Sequence, residues 1–292
     1  MQASEHTAPV PTGLSEPAFR AGFGTFDSAV QRFGESGYTD VLVAALETGY
    51  RHFDTADMYG TEPHVAAAIA RTGLEGEVFV ATKLHTRDLG YDDALRSAAE
   101  RRDTLGVERL DLLYVHVPID TYHPVQTLRA LDRIVAEGIA ARIGLSNFPV
   151  PMLHDALDRL ETPVFAHQVE LHPLLHEAEL HRLAVEHGHW LVGFAPTIAG
   201  LAGEVAELRQ VADQQGTTPF AVSLAWLHGR ANVATLSHSA NPGHMASNLA
   251  ATRRRLTDEE RARIDAIDRE FRVYDDRSDP WNQPLRLGTE QA

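Results

Sequence analysis

Four residues of types that move protons each stand at or behind an apolar run. Asp54 follows Arg51-His52-Phe53, Lys83 follows Val78–Thr82, and His116 follows Leu112-Leu113-Tyr114-Val115. Tyr59 lies five residues past Asp54, in a stretch that opens onto a helical pattern. Each has a plain structural use. Asp54 with Thr55 could cap a loop, Lys83 could be a solvated rim lysine, His116 an interior histidine with its bonds met, and Tyr59 loop packing. Taken together they make a proton-transfer set, provided the runs before them are neighbouring strands whose tips converge. A phenol with a pKa of about 10 needs help to act as an acid or base at neutral pH, and a nearby ammonium lowers that pKa.

The elements that must position them show in the hydrophobic pattern. Strand-like runs are expected at Phe19–Gly24, Arg51–Thr55, Val78–Thr82, Leu110–His116, Ala141–Ser146, Phe165–Val169, Trp190–Phe194 and Val233–Leu236. Between and after them lie segments of helical period: Thr39–Thr48, Glu62–Arg71, Tyr91–Leu105, Val125–Glu137, Pro151–Leu160, Glu177–Glu186, Pro219–Leu227 and Pro242–Ala250. In Tyr91–Leu105, for instance, Ala94, Leu95, Ala98 and Leu105 share a face and Gly106 signals the C-terminal cap. Units of this length favour parallel strands joined by right-handed crossovers, and eight in succession favour a closed (β/α)8 TIM barrel over an open sheet. Reactive groups in such a barrel belong at the C-terminal ends of the strands. The expected organisation is a flexible tail over residues 1–17 and one barrel domain over 18–292. A last helix is expected at Thr257–Glu270. The aromatic tail beyond it, with Tyr274 and Trp281, is expected to fold over the barrel mouth, its alternative being a strap on the outside.

Composition narrows the chemistry. Among 292 residues, 26 are Lys or Arg and 41 are Asp or Glu, a net charge of −15 that argues against binding nucleic acid or anionic membranes. The absence of cysteine removes disulfides, thiolate metal sites and thiol nucleophiles. No run approaches the roughly 18 apolar residues of a membrane helix. The N-terminal stretch has neither a basic nor an apolar signal region, so a cytoplasmic location is expected. No metal site is expected either: there is no HExxH motif, and His167, His172, His176 and His181 are irregularly spaced, with Pro173 interrupting the one i,i+4 pair. A nucleophile elbow, a phosphate loop and a three-glycine dinucleotide fingerprint are also missing from the sequence.

The run Gly22-Phe23-Gly24-Thr25-Phe26, followed by Gly49-Tyr50-Arg51-His52-Phe53-Asp54-Thr55-Ala56-Asp57-Met58-Tyr59-Gly60-Thr61-Glu62, resembles the start of an aldo-keto reductase. Thr82-Lys83, Leu110–His116, Ile143–Phe148, Gln168–Pro173 and Gly193–Pro196 extend the resemblance in the same order, from about residue 20 to 270. It implies a barrel enzyme that reduces an aldehyde or ketone with NAD(P)H. Asp54, Tyr59, Lys83 and His116 would be its catalytic tetrad, with Tyr59 as general acid. It also implies nicotinamide contacts from Ser146, Asn147 and Gln168, a stacking ring at Phe194, and cofactor contacts from Gly24 and Thr25.

At the adenosine end, relatives that use NADPH often carry a Lys-Ser pair and an Arg six residues past the Lys. Here His238 and His244 stand in the cationic positions, while Ser239 and Asn248 are kept. NADPH is the first expectation from the resemblance, but a 2′-phosphate favours permanent cations, which the two histidines are not, so NADH or dual use stands beside it. The N-terminus of the helix at Pro242 offers backbone donors to an anion. Phe26, Met58, His85 and Trp281 are expected to line the substrate pocket, with Asp57, Val117 and Pro118 also near it. The expected partner is a small-molecule carbonyl, and the expected state a monomer. Other readings are a non-enzymatic nicotinamide-binding regulatory subunit, a reductase of C=N substrates and a metal-dependent barrel lyase or hydrolase.

Overall fold

A computed structural model describes residues 8–11, 13–26 and 28–274. Trp281 and the tail expected beyond Tyr274 lie outside the described residues. Eight strands follow one another in chain order around a closed barrel: β1 (Ala21–Gly24), β2 (His52–Asp54), β3 (Phe79–Leu84), β4 (Leu112–Val115), β5 (Ile143–Ser146), β6 (Val164–Glu170), β7 (Trp190–Phe194) and β8 (Val233–Ser237). The pairings within it are parallel, as βα alternation requires. Every residue of β3 to β6 is buried, which is why these strands read as continuous apolar runs rather than alternating ones.

Most of the expected elements are present with ends shifted by a few residues. The Tyr91–Leu105 helix has the expected bounds, and Gly106 closes it in the left-handed conformation at φ 67°. Two expectations are corrected. Phe19 and Arg20 belong to a short helix, Glu16–Arg20, because Ser15 and Pro17 start a helical turn before β1. The final helix covers Asp258–Asp265 rather than extending to Glu270, although Thr257 caps it as expected, through a capping box with Glu260. Two helices fall outside the expected segments, the five-residue Ala29–Phe33 and Ala206–Gln215. Only Leu208, Val211 and Ala212 of the latter are buried, too narrow an apolar stripe for its pattern to stand out.

By contacts the chain groups into two compact units. One holds the described residues up to Gly24 with Ala44–His52 and Val169–Tyr274, and the other holds Thr25–Val43 and Phe53–Gln168. In the first, the described part of the N-terminal segment is anchored. Ala8 N–H donates to Asn232 Oδ1 at 2.9 Å and Pro9 C=O accepts from Trp190 Nε1 at 2.9 Å. Arg20 donates to the carbonyls of Val233, His228 and Arg230 at 2.8–2.9 Å, tying the short helix to the start of β8. Phe19 stacks on His52 with ring centroids 4.8 Å apart. In the second unit, Leu113 pairs with Ile143 and Tyr114 with Gly144. Gly144 is glycine for a steric reason. A β-carbon there would run into the Tyr114 ring and come within 2.9 Å of the Ala166 carbonyl oxygen.

Two histidines in the first unit are held neutral. Burial is the main cause, pulling His228 down to about 3 and His189 to about 4. In the unfolded chain both titrate near the ordinary histidine value of about 6.5. Below that pH the unfolded state takes up protons that the folded state refuses. The stabilisation from their neutrality is therefore complete above pH 6.5 and is lost as pH falls toward 4 and 3, at ~1.4 kcal/mol per pH unit for each group. The thermal midpoint is expected to fall steadily from pH 6.5 to 4, and to fall less in His189→Gln. Superimposable profiles for the two proteins would mean that His189 titrates alike in both states.

Candidate active site

Strand ends of the second unit bring the four proton-handling residues together. Asp54 ends β2, and His116 directly follows β4. Lys83 lies one residue before the end of β3, inside the strand rather than past it, and is fully buried. Its Nζ pairs with Asp54 Oδ1 and donates to Thr55 C=O at 2.9 Å. Gln168, in β6, donates from Nε2 to the other Asp54 oxygen at 2.8 Å. Asp54 is thus bonded through both oxygens, which satisfies a carboxylate that is nearly sealed from water.

Tyr59 closes a 3₁₀ turn, Asp57–Tyr59, that Gly60 ends at φ 64°. Its hydroxyl lies 3.2 Å from His116 Nε2, and Lys83 Nζ stands 5.3 Å from the centre of its ring. Burial, the Lys83 ammonium and His85 together hold the His116 pKa well below the usual histidine value, so the imidazole is neutral near pH 7. His116 Nδ1 is buried and has no partner among the described residues. Burial also lowers the Lys83 pKa, against the pull of Asp54. The site therefore combines a phenol, a neutral imidazole and a carboxylate-paired ammonium within bonding or ring-contact distance, a set able to deliver a proton to an oxygen and to stabilise charge developing there.

The loop that carries Tyr59 is fastened by buried hydroxyls and ion pairs. Thr61 Oγ1 lies 2.8 Å from Thr25 Oγ1 and 2.7 Å from Thr55 Oγ1, a buried chain of hydroxyls. Thr25 N–H donates to Asp54 C=O at 2.8 Å. Asp57 pairs with Arg101 and has a second guanidinium, Arg87, at 3.7 Å. Its carboxylate is therefore engaged by two guanidinium groups. Glu62, which begins the Glu62–Thr72 helix, accepts from Thr82 Oγ1 and lies 3.3 Å from Arg101. Burial pushes its carboxyl up to about 7, against Thr82 and Lys83.

Of the residues expected at a nicotinamide, Ser146, Asn147 and Gln168 sit together at the ends of β5 and β6. Asn147 adopts φ 58°, a left-handed conformation that Asn tolerates better than most residues. Its Nδ2 donates to His116 C=O at 3.1 Å and to Ser146 Oγ at 3.2 Å. Gln168 keeps its amide on Asp54, through Nε2 to Oδ2 at 2.8 Å. This set of hydroxyl and amide groups suits a carboxamide, which offers and accepts hydrogen bonds in the same plane. Among the substrate-pocket candidates, Phe26 is half-buried, with its ring edge-on to Tyr38 at 6.5 Å, and Met58 is 45% exposed. His85 accepts from Arg87 N–H through Nδ1 at 3.2 Å. Val117 is half-buried and Pro118 buried.

The remaining cofactor candidates lie in the first unit. Gly24 ends β1. Phe194 ends β7, half-buried, with Tyr274 edge-on at 5.8 Å. The chain is held there because Glu170 accepts from Val273 N–H at 2.6 Å and Tyr274 N–H at 3.0 Å. His238 and Ser239 are half-buried just past β8, with His238 5.0 Å from the Phe23 ring. Asn248 is half-buried on the Pro242–Ala251 helix, and the Tyr50 hydroxyl bonds Ser237 Oγ at 3.1 Å and Met245 C=O at 3.3 Å. His244 is exposed on the first turn of the Pro242–Ala251 helix. The anion-binding expectation for this helix end is corrected. Asn241 Oδ1 accepts from Gly243 N–H at 2.8 Å and His244 N–H at 3.3 Å, so an N-cap side chain already engages those donors.

Among the described residues, no group of three His, Asp or Glu side chains is arranged to hold a metal ion. The histidines grouped in the sequence have separate partners. His172 pairs with Glu170 at 2.8 Å, while His176 and His181 bond the carbonyls of Pro173 and Ala231 at 2.9 and 2.8 Å. No described helix is long and apolar enough to cross a membrane.

The eight strands close into a (β/α)8 TIM barrel, the fold of the aldo-keto reductases it superposes on. The aldo/keto reductase family model matches residues 20–269, and the chain belongs to that family. An aldo-keto reductase of Mycolicibacterium vanbaalenii is 37% identical over 242 residues, covering 80% of this chain and 85% of that protein. An aldo/keto reductase of Synechocystis is 30% identical, covering 94% of this chain and 92% of that one. Among solved structures, a thermostable aldo-keto reductase in complex with the inhibitor epalrestat superposes with a TM-score of 0.79 at 28% identity, over 88% of this chain and 98% of that one. A putative 2,5-diketo-D-gluconic acid reductase B gives 0.78 at 29% identity, over 84% and 86%. The protein is an oxidoreductase of a family that acts on small-molecule carbonyl compounds and generally uses nicotinamide cofactors.

Proposed function

We propose that this enzyme reduces an aldehyde or ketone to the alcohol with NADPH, NADH or dual use being the alternative, and that Tyr59 is the proton donor. The observation that carries this reading is the meeting of the Tyr59 hydroxyl with His116 Nε2 at 3.2 Å, beside a buried Lys83 paired with Asp54. When bound, the nicotinamide supplies the hydride. Ser146, Asn147 and Gln168 would hold its carboxamide. Tyr59 would give its hydroxyl proton to the substrate oxygen as charge develops there. The Lys83 ammonium beside the ring would stabilise the phenolate left behind, and Asp54 with Gln168 fixes that ammonium in place. His116, neutral and buried, would donate a hydrogen bond to the same oxygen and orient the carbonyl.

The substrate reading follows from what surrounds these groups. With Asp57 tied to Arg101, the carboxylate nearest the tyrosine is occupied. Phe26, Met58 and His85 then leave a rim that favours an apolar or ring-bearing carbonyl compound over a polyol.

The adenosine end decides the cofactor. With Asn241 engaging the helix N-terminus, His238, His244 and Ser239 remain as the groups to receive a 2′-phosphate. Fluorescence titration at pH 6 and pH 8 with NADPH and with NADH tests this. NADPH affinity is expected to weaken at pH 8 while NADH affinity stays level, as recognition of the 2′-phosphate by histidine requires. A level NADPH profile would remove histidine from phosphate recognition, and no binding of either nucleotide would overturn the reductase reading.

A further inference from the structure

Arg101 projects from the core-facing side of the Tyr91–Leu105 helix. It is three residues past Ala98 and four before Leu105, both buried, and its own side chain is only 13% exposed. We propose that Arg101, Asp57 and Glu62 form a positioning clamp that fixes the loop carrying Tyr59 against the strand carrying Lys83. The proposal rests on the reading of Tyr59 as the proton donor.

The connectivity carries the argument. One guanidinium nitrogen, Nη1, reaches Asp57 Oδ1 two residues before Tyr59 and Glu62 Oε2, at 3.3 Å, three residues after it. The tyrosine turn is thus held on both flanks by one cation rooted in a separate helix. Glu62 continues the chain of bonds. Its Oε1 accepts from Thr82 Oγ1, and Thr82 is the residue before Lys83 on β3. A shift of the turn would change the Tyr59 distances to both His116 and Lys83, the two contacts on which proton delivery depends.

Arg101 is poorly placed to serve stability alone. Burial lowers its pKa, and its Nε–H is buried with no partner among the described residues. An apolar side chain on that face would avoid this desolvation. What only a guanidinium supplies here is a charged donor that reaches Asp57 and Glu62 at once. Glu100 lies 3.8 Å from Nη2 and is half exposed, so it stands outside the buried bridge.

The test compares the full-length enzyme with Arg101→Met, Arg101→Lys and Asp57→Asn on the aldehyde that wild type reduces best. In Arg101→Met, kcat is expected to fall about 10- to 100-fold, the scale of a small misplacement of a reacting group. KM and nucleotide affinity are expected to change less than about twofold. Arg101→Lys should recover part of the loss, since it restores the charge without the fork. Asp57→Asn preserves shape and removes one ion pair, and should lower kcat even if Arg101→Met does not fold. A folded Arg101→Met with wild-type kcat would overturn the clamp, as would a loss confined to KM, which would mark a substrate contact instead. If Arg101→Met does not fold, unchanged kcat in Asp57→Asn overturns it. A wild-type protein inactive on every carbonyl would sink the Tyr59 reading and the clamp with it, whereas active wild type beside unaffected variants sinks the clamp alone.

Discussion

Replacing Tyr59 by phenylalanine is expected to lower kcat about 10²- to 10⁴-fold, the usual contribution of a positioned general acid, while nucleotide affinity stays unchanged. The substitution removes one oxygen and keeps the ring. Tyr59 is half-buried, and its hydroxyl has His116 Nε2 at 3.2 Å. Losing one such bond costs about 0.5–1.5 kcal/mol of stability, far too little to unfold a domain of this size. Steady-state kinetics beside a thermal melt separates the two effects. Turnover within a few-fold of wild type in a folded variant would assign the proton to another group.

Lys83→Met should be damaging twice over. Asp54 would lose its cation while remaining buried, and breaking a buried pair from one side costs about 3–5 kcal/mol. Gln168 would still donate to the other oxygen, which limits the loss. Activity should fall further than stability does, by about 10²-fold or more in the folded fraction, because the phenol loses the ammonium beside its ring. The optimum for reduction should also move in pH, since the charge that favours phenolate is gone. Lys83→Arg keeps the charge and should retain more of both properties. Wild-type kinetics in a destabilised Lys83→Met would leave Lys83 with a structural role only.

The barrel, and the placing of Asp54, Lys83 and His116 at or near strand ends, were legible in the sequence because each rests on local pattern. Fully buried parallel strands produce apolar runs, and Asp54, Lys83 and His116 interrupt three of them at or near their ends. The Gly49–Glu62 run added enough specific residues to imply a family. What escaped was of another kind. Arg101 sits at helical spacing from Ala94 and Ala98, so a lone charge on an apolar face was visible, but its partners Asp57 and Glu62 lie about 40 residues away and only the fold joins them. The grip of Glu170 on Val273 and Tyr274 spans more than 100 residues. At the Pro242 helix, Asn241 was readable as an N-cap type, and its capping role removes backbone donors that might otherwise seem free for an anion.

The most direct measurement follows a hydrogen atom. Wild type and Tyr59→Phe would be incubated with NADPH deuterated at nicotinamide C4 and a panel of aromatic and aliphatic aldehydes, and the alcohols analysed by mass spectrometry. The proposed mechanism predicts an alcohol carrying one deuterium on its carbinol carbon, formed by wild type and about 10²-fold or more slowly by Tyr59→Phe. Bound nucleotide with no labelled alcohol from any aldehyde, or equal labelling by the two proteins, would contradict it.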